Sequence, residues 1–98
     1  MRLFKYKMLV AFWKKHPEAK EALTRWAELV ETSDWTSHAD LKKTFPAADY
    51  VGNDRYVFNI GGNKFRTVAV VVFFAGDMHL RFVGTHAEYD RIKDIKSI

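Results

Sequence analysis

The chain has 98 residues, 48% of them hydrophobic, with eight Phe, three Trp and no Cys. A chain this short carries one core, read as a single domain over residues 1–98, and its composition excludes a disordered tail, a disulfide framework and a thiolate metal centre. The net charge of +4 is uneven: residues 1 to 16 hold five Lys or Arg and no acid, residues 17 to 54 sum to −4, and residues 55 to 98 to +3. A polyanion-binding face with an acidic back would look like this, and so would a solvated surface with an accidental excess.

Arg2 to Phe4 reads as a short opening strand. From about Tyr6, Leu9, Phe12 and Trp13 recur at helical spacing until His16-Pro17, where the residue before proline leaves the helical region and proline begins a new first turn. The apolar opening (MLVAFW) is followed at once by Lys14 and Lys15 rather than by a cleavage site, so it is not expected to be a signal peptide. Ala19, Ala22, Leu23, Trp26, Leu29 and Val30 form the apolar stripe of a second helix, which ends at Thr32-Ser33-Asp34. Trp35 to Gly52 is a connector with one or two helical turns between Ala39 and about Thr44, stopped before Pro46, and Asp49 to Asp54 reads as loop.

The second half changes period. Arg55–Ile60, Lys64–Phe74 and Met78–Val83 are rich in Val, Phe and Tyr, and are joined by Gly61-Gly62 and Gly76-Asp77, which predicts an antiparallel meander. Strict alternation would place Met78, Leu80 and Phe82 on one face of the third strand and His79, Arg81 and Val83 on the other. Thr85 to Glu88 has the spacing of a capping box, so a short C-terminal helix starts there, with Lys93 to Ile98 as a frayed tail. The expected fold is α+β: a small antiparallel sheet of three to four strands against an N-terminal helix pair, with a short C-terminal helix. The longest apolar run, Val68 to Gly76, is about half of the roughly 20 residues that a spanning helix needs. A soluble, cytoplasmic protein without membrane attachment is expected.

Most chemical motifs are missing. His16, His38, His79 and His86 are not paired at ligand spacing, Gly61-Gly62 is a hairpin turn rather than a phosphate loop, and no Ser lies in a nucleophile elbow. No metal and no cofactor are expected. What remains is Asn59, Asn63, Lys64 and Arg66 around the first hairpin, Arg81 on the next strand, and His86 and Tyr89 in the capped turn. RNA cleavage needs such parts: planar fixed cations for the phosphate, a ring that titrates near neutrality, and an aromatic platform for an unpaired base. A bland reading stands beside each. Arg81 would pair with Glu88 or Asp90, His86 would merely open a helix, Tyr89 would be core, and the two Asn would only form turns.

Phe58 to Arg66 (FNIGGNKFR) and Arg81 to Asp90 (RFVGTHAEYD), with the connector Asp40 to Gly52, Phe12-Trp13 and His16-Pro17, closely resemble the HigB-type toxins of type II toxin–antitoxin systems. The resemblance covers essentially the whole chain. It implies a RelE-like fold, an endoribonuclease (mRNA interferase) that cuts mRNA in the decoding site of the 70S ribosome without a metal, and neutralisation by a HigA-type helix-turn-helix antitoxin. By that resemblance Arg66 and Arg81 hold the phosphate, Lys64 assists, and His86 or Tyr89 handles protons or stacks on a base. Asn59 and Asn63 complete the RNA-binding set. The alternatives are a non-catalytic RNA- or ribosome-binding inhibitor of translation and a ParE-like gyrase inhibitor.

Overall fold

A computed structural model describes residues Met1–Ile98. Five strands form one mixed sheet in the order β1-β5-β4-β3-β2. These are β1 (Arg2–Phe4), β2 (Asp49–Gly52), β3 (Arg55–Ile60), β4 (Phe65–Val72) and β5 (Asp77–Thr85). The helices are α1 (Lys7–Lys15), α2 (Lys20–Glu31), α3 (His38–Thr44) and α4 (His86–Asp90), and a 3-10 turn at Pro17–Ala19 leads into α2. The α+β class and the predicted meander hold, but the sheet is larger than expected and is not purely antiparallel. β1 pairs with β5 in parallel, and Asp49–Gly52, read as loop, is the outer strand on the other side.

Local chemistry accounts for the turns. Asn53 and Asp54 both have positive φ, 50° and 64°, and they link Gly52 to its partner Arg55 as a two-residue hairpin loop. Asn and Asp tolerate the left-handed region because their short polar side chains bond locally. Gly61 and Gly62 also have positive φ and open the four-residue loop between Ile60 and its partner Phe65. Pro17 sits at the start of the 3-10 turn, and Ser37 caps α3 by accepting from the Asp40 amide at 3.2 Å.

The core lies between the helices and one sheet face. Leu9, Leu23, Trp26, Val30 and Leu41 from the helices meet Phe58, Ile60, Ala69, Met78 and Leu80 from the strands, all buried. Phe58 is the hub, edge-on to Trp26 at 5.3 Å and to Phe45 at 5.2 Å. Val57 and Val68 lie on the opposite face by alternation, yet are only 3% and 0% exposed. The C-terminal tail covers that face and is not frayed. The Asn53 side-chain amide donates to the Lys96 carbonyl at 2.9 Å, and Arg55 donates from Nε and Nη2 to the Ile98 main-chain oxygen at 3.2 and 2.7 Å. Ile92, Ile95 and Ile98 are partly buried, whereas Lys93, Asp94 and Lys96 between them are exposed. No helix is long and apolar enough to cross a membrane.

The third predicted strand departs from alternation. β4 and β5 pair Val68 with Phe82 and Ala69 with Leu80, so Arg81 is the extra residue of a β-bulge. The bulge reverses the phase beyond it: Val83 packs against the core, and Phe82 joins the opposite face. Neighbouring residues therefore differ sharply in burial. Leu80→Ala should cost about 2–5 kcal/mol through the lost contacts and the cavity it leaves. Arg81→Ala should stay within about 0.5 kcal/mol of the parent, since its side chain is exposed and unpaired. Urea unfolding of both variants checks the pair, and similar midpoints would contradict the bulged register.

Candidate RNA-cleavage site

The site forms where β4 begins and β5 ends. Arg66 stands opposite Asn59 on β3 and Gly84 on β5, so all three lie on the sheet face away from the main core. Its Nη1 has only long contacts, 3.5 Å, to the carbonyls of Asn63 and Phe65, and no carboxylate pairs with it. The Arg66 guanidinium carbon lies 5.7 Å from the Tyr89 ring centroid, within cation–π range. Phe82 is 6.4 Å from the same ring. Gly84 makes room for this arrangement, because a Cβ there would come within 2.5 Å of the Phe82 ring.

The start of α4 is fixed by three bonds. The Thr85 amide donates to Glu88 Oε1 at 2.8 Å, and the Glu88 amide donates to the Thr85 hydroxyl at 3.2 Å, the expected capping box. The His86 amide then donates to the Lys64 carbonyl at 3.0 Å, tying the helix start to the β3–β4 loop. His86, Tyr89 and Asp90 follow at i, i+3 and i+4 and share one stripe of the helix. His86 Nδ1 lies 2.9 Å from Asp90 Oδ2, with both side chains about half exposed. A carboxylate on Nδ1 selects the tautomer that leaves Nε2 free to accept a proton.

The structure thus brings Arg66, Tyr89 and Asn59 onto one face and joins Lys64 to His86 through the main chain. Arg81 is exposed in the bulge next to Phe82 and makes no ion pair with Glu88 or Asp90. Asn63 is in the exposed loop and contributes its carbonyl to the surroundings of Arg66. Sequence reading overlooked Asp90, Phe82 and Gly84. The His86–Asp90 spacing of four was legible, but strict alternation puts Phe82 on one face with Met78 and Leu80, because a bulge leaves no mark within one strand. His16 was read only as the end of a helix. It stacks on Phe12 with ring centres 4.5 Å apart.

The Glu88 carboxyl is held below its ordinary value of 4.5, first by the hydrogen bond from the Thr85 amide and further by the Thr85 hydroxyl, His16 and Arg91; partial burial opposes this.

The fold and site define a small α+β protein whose unpaired cations, rings and oriented imidazole meet at one strand end. The family model for HigB toxins, the RelE-like toxic component of a toxin–antitoxin system, matches residues 19–92. The chain is 36% identical over 93 residues to the mRNA interferase toxin HigB of Escherichia coli K12, covering 92% of this chain and 88% of that one. The mRNA interferase HigB of Shigella flexneri matches with the same figures, and that of Escherichia coli O6:H1 is 27% identical over 81 residues, covering 81% of this chain and 79% of that one. The chain belongs to the HigB toxin family.

A depressed carboxyl stabilises the fold above its unfolded pKa and ceases to do so as pH falls through its folded pKa. Glu88→Gln should therefore be less stable than the parent at neutral pH, and the gap should close as pH drops below the ordinary value of 4.5. Asp40 is also held low, by the Thr36 amide first, and is unchanged in both proteins, so the difference between their melts isolates Glu88. A gap independent of pH would show that the capping carboxylate carries no such contribution.

Proposed function

We propose that this chain is the toxin of a toxin–antitoxin pair and acts as an mRNA endoribonuclease on the ribosome. The observation that carries the reading is the Arg66 guanidinium over the Tyr89 ring, with no carboxylate to neutralise it, one helical turn from a carboxylate-oriented imidazole. A planar cation without an internal partner is available to a phosphate, which it can grip with two parallel N–H donors. The aromatic rings beside it offer π-faces to an unpaired base.

The reaction follows from these parts. The 2′-hydroxyl gives up its proton to a base, its oxygen bonds to the adjacent phosphorus, and the bond from phosphorus to the 5′-oxygen breaks. That oxygen takes a proton as it leaves, so the products are a 2′,3′-cyclic phosphate and a 5′-hydroxyl. Arg66 and Arg81 neutralise the charge that grows on the phosphorane, with Lys64 adding its ammonium from the loop. His86 takes or returns a proton through Nε2, with Asp90 holding the ring, and Tyr89 stacks on the base or supplies its phenol. Asn59 and Asn63 bond to the RNA at the edge of the site. The antitoxin of this reading is of the HigA helix-turn-helix type; the family's description as the toxic component of a toxin–antitoxin system supports an antitoxin partner, and relatives named mRNA interferases support the endoribonuclease reading.

Arg66→Ala and Arg81→Ala should each lower ribosome-dependent cleavage by about two to three orders of magnitude, the usual loss when one transition-state charge donor is removed. Mapping new 5′ ends on transcripts after induction in cells measures this. Growth arrest with full-length transcripts would instead establish a non-catalytic inhibitor of translation. Intact transcripts with broken DNA would establish a gyrase inhibitor.

A further inference from the structure

A second groove lies between α1 and the start of α4, on the helix side of the same turn. It encloses about 330 Å³ and is lined by the apolar side chains of Met8, Phe12 and Val83 and by Lys15, His16 and Glu88. The His16 ring is stacked on Phe12 at 4.5 Å with an interplanar angle of 21° and meets the Phe65 ring edge-on at 6.2 Å. Its side chain is 34% exposed, and Nδ1 lies 3.4 Å from Glu18 Oε1, which restrains the ring. Lys15 is exposed and has no ion pair. Every charged side chain in residues 1 to 16 is a cation.

We propose that this groove is a nucleotide subsite for the RNA strand adjoining the scissile bond. The inference rests on RNA being the substrate, as proposed above. The base extends the Phe12–His16 stack, as bases do on aromatic side chains regardless of sequence. Its phosphate lies toward Lys15, away from Glu88. The Glu88 carboxylate, already accepting from the Thr85 amide, keeps acceptor capacity for an exocyclic amino group. The subsite therefore favours adenine, cytosine or guanine over uracil. The capped turn is the wall shared by the two sites, with the cleavage chemistry on its open-face side and the groove on its helix side.

Binding of a fluorescein-labelled, 2′-O-methylated RNA decamer, which cannot be cleaved, tests this by anisotropy across a salt series. Lys15→Glu should weaken binding about tenfold at 0.1 M salt and flatten the log–log salt slope by about 0.7, the value for one lost single-strand phosphate contact. Lys43→Glu makes the same charge change on exposed α3 and should cost less than about twofold. Equal losses in the two variants, or no loss in Lys15→Glu, would overturn the subsite. His16→Ala should weaken binding about threefold and raise KM on ribosomes without lowering kcat. A fall in kcat at constant KM would overturn its binding role. His16 also supports packing, so its melting curve is compared, and exposed Lys15 keeps the test decisive if that variant unfolds. Arg66→Ala separates the two readings: full cleavage by that variant would sink the catalytic assignment above, whereas the groove stands or falls on Lys15→Glu.

Discussion

The capped turn from Thr85 to Glu88 is the joint on which the site depends. A strand that ends leaves main-chain donors without ladder partners, and a helix that begins leaves more. Here the same few residues satisfy both needs: Thr85 and Glu88 exchange side-chain to main-chain bonds, and the His86 amide is taken by the Lys64 carbonyl. Because that carbonyl belongs to the loop entering β4, the helix start is referenced to the strand that carries Arg66. The ring at Tyr89 then falls beneath the guanidinium at 5.7 Å without any direct bond between them. The cation is held by geometry rather than by a counter-ion, and beyond the long Nη1 contacts to the Asn63 and Phe65 carbonyls its donors are unspent.

The rest of the fold allows such a site to exist at a strand end. β4 is covered on its core face, where Phe65, Ala69 and Val71 join the helices, and on the other face Val68 is fully buried, with the tail held nearby at Asn53 and Arg55. Burial is complete at Val68 but falls away toward Arg66, which is half-buried. Charge segregation gains a spatial meaning from the topology. α1 packs against β5, so Lys15 at its end lines the same groove as Glu88 of the capped turn, whereas Arg2 is tied to Asp77 at the start of β5 and Lys96 lies beside Gly52, and Glu21, Glu28 and Glu31 sit exposed on α2.

Features set by local chemistry were legible in the sequence. The capping box depends on four consecutive residues, and the stripe of α2 on its own spacing, so each appears without knowledge of partners. What was not legible depends on pairing. β2 contains Asp49 and Gly52, poor strand formers, and exists because Tyr50 faces Tyr56 across the Asn53-Asp54 turn. The left-handed tolerance of Asn and Asp was the available signal for that turn. The bulge at Arg81 is a count of residues against β4, and the tail is ordered by partners some forty positions away, Asn53 and Arg55. Of the site, the Arg66–Tyr89 contact, the position of Phe82 over Gly84 and the groove at His16 all come from elements separate in sequence, so only their residue types were visible beforehand.

The composition of the site bears on how a target is chosen. In the site proposed above, Arg66, Arg81 and Lys64 would address phosphate, which is the same at every step of an RNA chain. Tyr89 and Phe82 offer ring faces, and stacking distinguishes bases weakly. The site is an open strand end rather than an enclosed pocket, so steric exclusion of a wrong base is small there. An enzyme so built reads little sequence by itself, and its choice of bond must come from whatever holds the RNA in a fixed register against it. On the proposed function, a ribosome that displays messenger RNA codon by codon would supply that register, and would convert a weakly discriminating phosphodiester site into one that cuts at defined positions.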